Sequence, residues 1–259
     1  MNDEEPTLPT RSQPRVCMEA DKRDFDGQRI QPGWSLDLTT NDPKTGQPWD
    51  LADKGVQSRV KKLVRSTQPY CIIGSPPCAP FSRLQEISRA KRNPKTMAEE
   101  LRKGKEHIRF GVEVYRMQIA QKRHFIHEHP ATATSWQMEE IKELLMEPMV
   151  DAEVIHMCAY GMKPEDESGP GLVKKPTRIM SSAPEVLKRI RARCSNEGGG
   201  EQHRHVPLLQ GRARAAQVYP RGLCVRICEG SCTEKTGWAR NGSQTYHDIV
   251  GDAISDEDA

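Results

Sequence analysis

Aromatic residues are scarce in this chain: four tryptophans, five tyrosines and four phenylalanines among 259 residues, or 5%. Apolar residues together reach only 35%, below the usual share of a packed globular domain. A core is possible, but part of the chain is left over for loops and tails. No stretch approaches the roughly 18 consecutive apolar residues of a membrane span, so no membrane partner is expected. The opening MNDEEPTLPTRSQP is polar and acidic and has no signal-peptide character. Eight cysteines are too dilute for a disulfide scaffold, and the chain reads as soluble and intracellular with reduced thiols. A large charge of one sign is missing too. Lysine plus arginine is 39 against 36 aspartate plus glutamate, a net charge of +3. That excludes a histone-like polycation and leaves room for a local basic face.

What is present has an alternating rhythm. Residues 1–14 read as a disordered tail, 15–232 as one domain, and 233–259 as a polar, acidic tail. Short apolar runs at 15–20, 35–38, 70–74, 124–127 and 154–158 predict buried strands. Helical spacing joins Val56, Val60, Leu63 and Val64, then Met97 through Ile119, then Ile141, Leu144 and Leu145. Strands alternating with helices predict an α/β fold, a mostly parallel sheet with helices on both faces. Ligands in such sheets sit beyond the carboxyl ends of the strands.

One of those ends is unusual. Tyr70-Cys-Ile-Ile-Gly-Ser-Pro-Pro-Cys78 runs from a strand into two prolines and a cysteine, then Ala-Pro-Phe-Ser82. Each proline fixes its own φ and restricts the residue before it. A cysteine on such a stiff loop is presented as a nucleophile must be, or it is a small apolar filler in a turn.

Gly74-Ser-Pro-Pro-Cys-Ala-Pro-Phe-Ser82 resembles the Pro-Cys nucleophile motif of the cytosine-5 DNA methyltransferases. Other stretches follow in that family's order. Phe125-Ile-His-Glu-His-Pro130 is similar to its Glu-Asn-Val/Pro strand, with histidine in place of asparagine. Lys175-Pro-Thr-Arg178 looks like the Lys-Pro-Thr strand of short phage-type members, and 216–227 looks like the closing motif. Gly33–Leu38 and Trp49-Asp50-Leu51 resemble the two segments that meet the cofactor's ribose and adenine. The resemblance covers residues 14–230, closest in flavour to compact phage-type and retroelement-associated members.

The resemblance implies a Rossmann-like S-adenosylmethionine-dependent methyltransferase fold, with DNA as partner and a flipped cytosine as target. Cys78 would add to C6, and Glu128 would stabilise the developing charge from N3. Asp37, Asp50, Ser75 and Pro76 would bind the cofactor; Pro77, Phe81, Ser82 and Arg178 would contact the substrate. Two departures stand out. The glycine-rich first motif is missing: 21–30 offers only Gly27. The gap between 182 and 216 is too short for an extensive target-recognition region, although 186–193 is basic and helix-like and could contact phosphates. These departures keep an alternative open, an inactive remnant of the fold that binds nucleic acid or serves a structural role.

Three further features have bland readings beside sharp ones. Cys194, His203 and His205, with Cys224, Cys228 and Cys232, could ligate zinc, but Cys-x8-His-x-His matches no standard finger, and Cys224 and Cys228 share a helix face suited to a core. No metal is therefore expected. His127 and His129 share a strand face and flank Glu128, which suits supporting roles. Residues 83–109 hold nine Lys/Arg against four Glu, either a nucleic-acid path or a solvated helix face.

Overall fold

The computed structural model describes residues 15–22, 30–82, 92–164, 171–197, 199–208 and 216–240. The tail 1–14, the end of the chain from 241, Gly27 and the start of the basic stretch at 83–91 lie outside the described residues.

Four strands form one open sheet: β1 (Cys71–Gly74), β2 (His124–Pro130), β3 (Asp151–His156) and β4 (Pro176–Ser181), in the order β1-β2-β4-β3. The α/β class is as predicted, but the sheet is mixed. Only β1 and β2 pair in parallel; β4 runs antiparallel to both β2 and β3. No crossover helix separates β3 from β4 among the described residues, and a parallel return would need one.

Helices cover both faces. The helix α2 (Lys54–Thr67) starts where the Asp53 carboxylate accepts from the Val56 N–H at 2.7 Å. Its Val56, Val60 and Val64 are buried against Trp49, Phe110 and Val114. The helix α3 (Pro94–Ala120) begins with proline at its first position and Asn93 as cap. With α4 (Glu139–Leu145) it packs Ile108, Val112, Ile141 and Leu144 on Phe125 and Met180 of the sheet. The opposite face, with Ile126, Ile155 and Ile179, is covered by α5 (Pro184–Arg189) and α6 (Arg221–Arg240).

Several boundaries differ from the sequence expectation. Residues 15–20 are not a strand but lie in α1 (Arg15–Lys22), which packs on α6. Arg221 pairs with Glu19, and the Cys228 thiol reaches the Val16 carbonyl. Residues 35–38 form no strand but lead into a turn over 37–40, because the Asp37 carboxylate captures the Thr39 N–H at 2.7 Å and the Thr39 hydroxyl at 2.6 Å. The helix expected over 186–193 stops at Arg189. The helix α6 runs to Arg240, well into the stretch read as a tail, and Glu234 there accepts the Glu185 N–H at 2.8 Å. Cys224, Cys228 and Cys232 are buried on its inner side, which makes them core thiols.

The centre of the sheet carries unusual polarity. His127 and His129 are buried on the α3 face of β2, where Nδ1 of each meets a hydroxyl, Tyr115 at 3.1 Å and Ser135 at 2.6 Å. Burial pushes His127 down to about 3 and His129 to about 4. Both are neutral in the fold, whereas the unfolded chain takes up their protons below about 6.5. Stability is therefore complete above that pH and is lost as pH falls towards 4. Between pH 7 and pH 5 each histidine removes about 2 kcal/mol by linkage. Thermal melts across that range will show the fall, and His127→Phe will flatten it; a His127→Phe protein with an unchanged slope would contradict the assignment.

Candidate functional site

The chemistry gathers at the carboxyl ends of β1 and β2. At Gly74 the backbone lies against the Tyr115 hydroxyl, so close that a Cβ would stand 1.8 Å from the oxygen. Only glycine fits there, and the chain passes directly into Ser75 and the two prolines. Cys78 then starts a short 3-10 turn, Ala79–Phe81, closed by the Phe81 N–H on the Cys78 carbonyl at 3.0 Å. Phe81 anchors that turn. It is 2% exposed and packs on Gly104 of α3 and edge-on to His129. The substrate contact expected of Phe81 is therefore corrected to an anchoring role, because its ring is sealed in the core. Pro77 is exposed beside the thiol, and Ser82 closes the turn with its N–H on Ala79.

Glu128 lies on β2 with its side chain on the α5/α6 face, opposite to that of its two flanking histidines. It is 6% exposed, and its Oε1 has no hydrogen-bond partner. Lys175 Nζ stands 3.5 Å from that oxygen and donates to the Ala216 carbonyl at 2.9 Å. Lys175 immediately precedes Pro176 and holds a positive φ of 28°, a costly conformation for a non-glycine residue. The segment that begins at Ala216 closes the site from the other side. Tyr219 shares a 2.5 Å hydrogen bond with Ser75, and its carbonyl accepts from Arg15. Four distant stretches thus meet around one carboxylate.

Electrostatics connects them. Burial pushes the Cys78 thiol up, the Glu128 charge pushes it further, and Lys175 pulls it back. Cys78 is therefore held as a neutral thiol beside a carboxylate. This makes a testable statement. Glu128→Gln removes the repelling charge, so iodoacetamide will alkylate Cys78 about 3–10 times faster at pH 8. Lys175→Met will slow it. Peptide mapping separates Cys78 from the other seven thiols, and equal rates in all three proteins would refute the coupling.

Arg178 is not part of this group. It sits directly opposite His129 in the β2–β4 register, with its guanidinium 4.8 Å from the centre of the Trp136 ring. Strand alternation thus puts it on the other sheet face from Glu128, and the cation beside the carboxylate is Lys175. Lys175 belongs to the quoted Lys-Pro-Thr stretch, and its place before a proline at a strand start was the available signal. Tyr219 was legible only as part of the closing motif.

The residues expected to hold S-adenosylmethionine are only partly assembled. Asp37 spends its carboxylate on Ser35 and Thr39, and the hydrogen bonds lower its pKa against the effect of burial. Asp50 accepts from the Ala52 N–H at 3.0 Å. Burial holds the His107 imidazole on α3 below its ordinary pKa, and the Asp50 and Glu106 charges oppose that shift. The Ser75 hydroxyl is already taken by Tyr219, and Pro76 lies partly buried. The arginines of the basic stretch are paired where it is described: Arg92 with Glu100, Arg102 with Glu99 and Glu106, and Arg109 with Glu140.

All eight cysteines are free. Among the described residues no helix is long and apolar enough to cross a membrane. Comparison with known proteins finds no matching family model, no matching curated protein and no matching solved structure.

Proposed function

We propose that this chain is built around a cytosine-5 DNA methyltransferase-type centre on a Rossmann-like fold, in which Cys78 adds to C6 of a cytosine swung out of its duplex. The observation that carries the proposal is the buried Glu128 carboxylate, one oxygen of which lacks a hydrogen-bond partner and faces Lys175 at 3.5 Å, with both charges near enough to act on the Cys78 thiol. Such an oxygen is costly unless a ligand completes it.

Glu128 supplies the group that holds the base at N3 and stabilises charge there as the sulfur adds. Lys175 anchors that carboxylate through its own bond to Ala216. Once Glu128 shares its charge with a base, its repulsion of the thiolate weakens, so entry of the base activates the nucleophile. The Cys78 thiol releases its proton to water as the C6–S bond forms, and the C5=C6 electron pair moves onto C5, which becomes the attacking carbon. S-adenosylmethionine, when bound, supplies the methyl group. Water then takes the C5 proton, the freed pair reforms C5=C6, and the Cys78 sulfur departs as thiolate with the C6–S pair.

A duplex containing 5-fluorocytosine tests this. Fluorine cannot leave C5 as a proton does, so the adduct persists and will migrate as a covalent band in the presence of S-adenosylmethionine. A folded protein that forms no adduct defeats the proposal.

A second reading is favoured by one finding. Where the resemblance expects the cofactor strands, the described residues 15–22 and 30–50 hold a helix, turns and one isolated bridge instead. An inactive remnant that binds nucleic acid or plays a structural role would look like this. Calorimetry with S-adenosylmethionine separates the two: binding supports the enzyme, and absence of binding supports the remnant.

A further inference from the structure

We propose a structural zinc site of two cysteines and two histidines, formed by Cys158, Cys194, His203 and His205, away from the Cys78 centre. One ligand atom from each of these residues lies within 4.8 Å of every other. Cys194 Sγ is 3.7 Å from His203 Nε2 and 3.3 Å from His205 Nε2, and the two Nε2 atoms are 3.0 Å apart. Bond lengths near 2.3 Å for sulfur and 2.0–2.1 Å for nitrogen put tetrahedral edges at about 3.6 Å for S···N and about 3.3 Å for N···N. The observed spacings match that tetrahedron within a few tenths of an ångström.

The backbone around each ligand is held independently. Cys158 sits in the 3-10 turn Met157–Tyr160 that ends β3. The Cys194 N–H donates to His156 Nδ1 at 3.0 Å. Asn196 grips His203 from both sides, donating to its carbonyl at 2.8 Å and accepting from its N–H at 3.0 Å. His205 pairs with Leu172 in an isolated bridge. Ser195 Oγ lies 3.3 Å from His203 Nδ1, a partner on the outer ring nitrogen that leaves Nε2 facing inward, as metal-bound histidines are held.

Donor type selects the metal. Two sulfurs and two imidazoles in a tetrahedron suit zinc rather than magnesium or calcium. All four positions are filled by the protein, so the ion has no open place for a substrate and its role is structural. Its place in the fold gives the reason. From Arg191 to Leu208 the described chain has only a three-residue 3-10 turn, Ser195–Glu197, of regular helix or strand. Few side chains there reach the core, and a metal clip supplies what burial does not. The clip ties that loop to the end of β3 and, through Leu172, to the segment leading into Lys175.

Metal analysis of the purified full chain tests the proposal. About one zinc per chain is expected. Exchange for cobalt(II) should give the intense visible bands of a tetrahedral ion and near-ultraviolet thiolate charge-transfer bands. Cys194→Ser and His205→Gln should lose the metal, while Cys78→Ser and Cys17→Ser should retain it. Chelation of the wild-type protein should lower its melting temperature by several degrees, a readout that does not require the variants to fold. A folded protein that stays free of zinc after incubation with excess zinc, or that carries copper or iron instead, overturns the assignment. Loss of zinc in Cys78→Ser would overturn it as well.

Discussion

The Cys78→Ser protein will form no adduct with 5-fluorocytosine DNA, and any methyl transfer will fall by at least about a thousandfold. A serine hydroxyl is far less nucleophilic than a thiol, and nothing in the geometry activates it. The neighbours acting on this position are a carboxylate, which disfavours an anion, and a lysine. Folding will be nearly unaffected, because Cys78 lies on a loop whose turn is anchored by Phe81 rather than by the thiol. Glu128→Gln separates the site's two functions. It keeps the shape and removes the charge, so the thiol becomes more reactive to alkylation while transfer to cytosine falls by about a hundredfold. A residue that merely filled space would not move the two readouts in opposite directions. Methyl transfer by Cys78→Ser at a rate near the wild-type value would end the assignment.

The second large effect is structural and lies on α6. A Cβ at Gly230 would stand 2.6 Å from the Val186 Cα, 2.9 Å from the Glu185 carbonyl oxygen and 3.0 Å from the Val186 nitrogen. These are backbone atoms at the start of α5, so no rotamer change can relieve the clash. Gly230→Ala will cost about 3 kcal/mol, a fall of roughly 6–12 °C in melting temperature for a chain of this size. Seven residues later on the same helix, Gly237 has nothing within 4 Å of the same added atom. Gly237→Ala will therefore stabilise by up to about 1 kcal/mol through helix propensity alone. Opposite signs from one substitution on one helix identify the α5–α6 contact as the cause. Two equal melting temperatures would show that α6 does not approach α5 in this way.

Much of the fold was legible wherever one element could satisfy its own pattern. The apolar spacing of Val56, Val60 and Val64 requires only a helix with one buried face, and α2 is that helix. The runs at 70–74 and 124–127 became β1 and β2 because both lie in the covered sheet. The misreadings share a cause. Val16 and Ala20 are apolar in a short run, which a buried strand and one face of a helix fit equally well; the presence of α6 as a neighbour decided for the helix. At 35–38 the Asp37 carboxylate outcompeted any strand by bonding Thr39 locally.

The site divides in the same way. Cys78 was visible in the sequence because proline stiffening is a local property, and Glu128 through the resemblance of 125–130 to a family motif. Lys175 and Tyr219 joined them only when β4 and the 216–220 segment folded back. Arg178 left because alternation along a strand is fixed by register with its neighbours. Cys158 is the plainest case. Within its own segment it is one more apolar residue at the end of a strand, and only folding brings it beside Cys194, His203 and His205, more than thirty residues downstream. The sequence by itself determined which groups are available and which short segments are helical or stiff, since those depend on neighbours in the chain. Strand direction, sheet face and the partners of each charge were decided by the tertiary structure, because they depend on contacts between residues far apart in sequence.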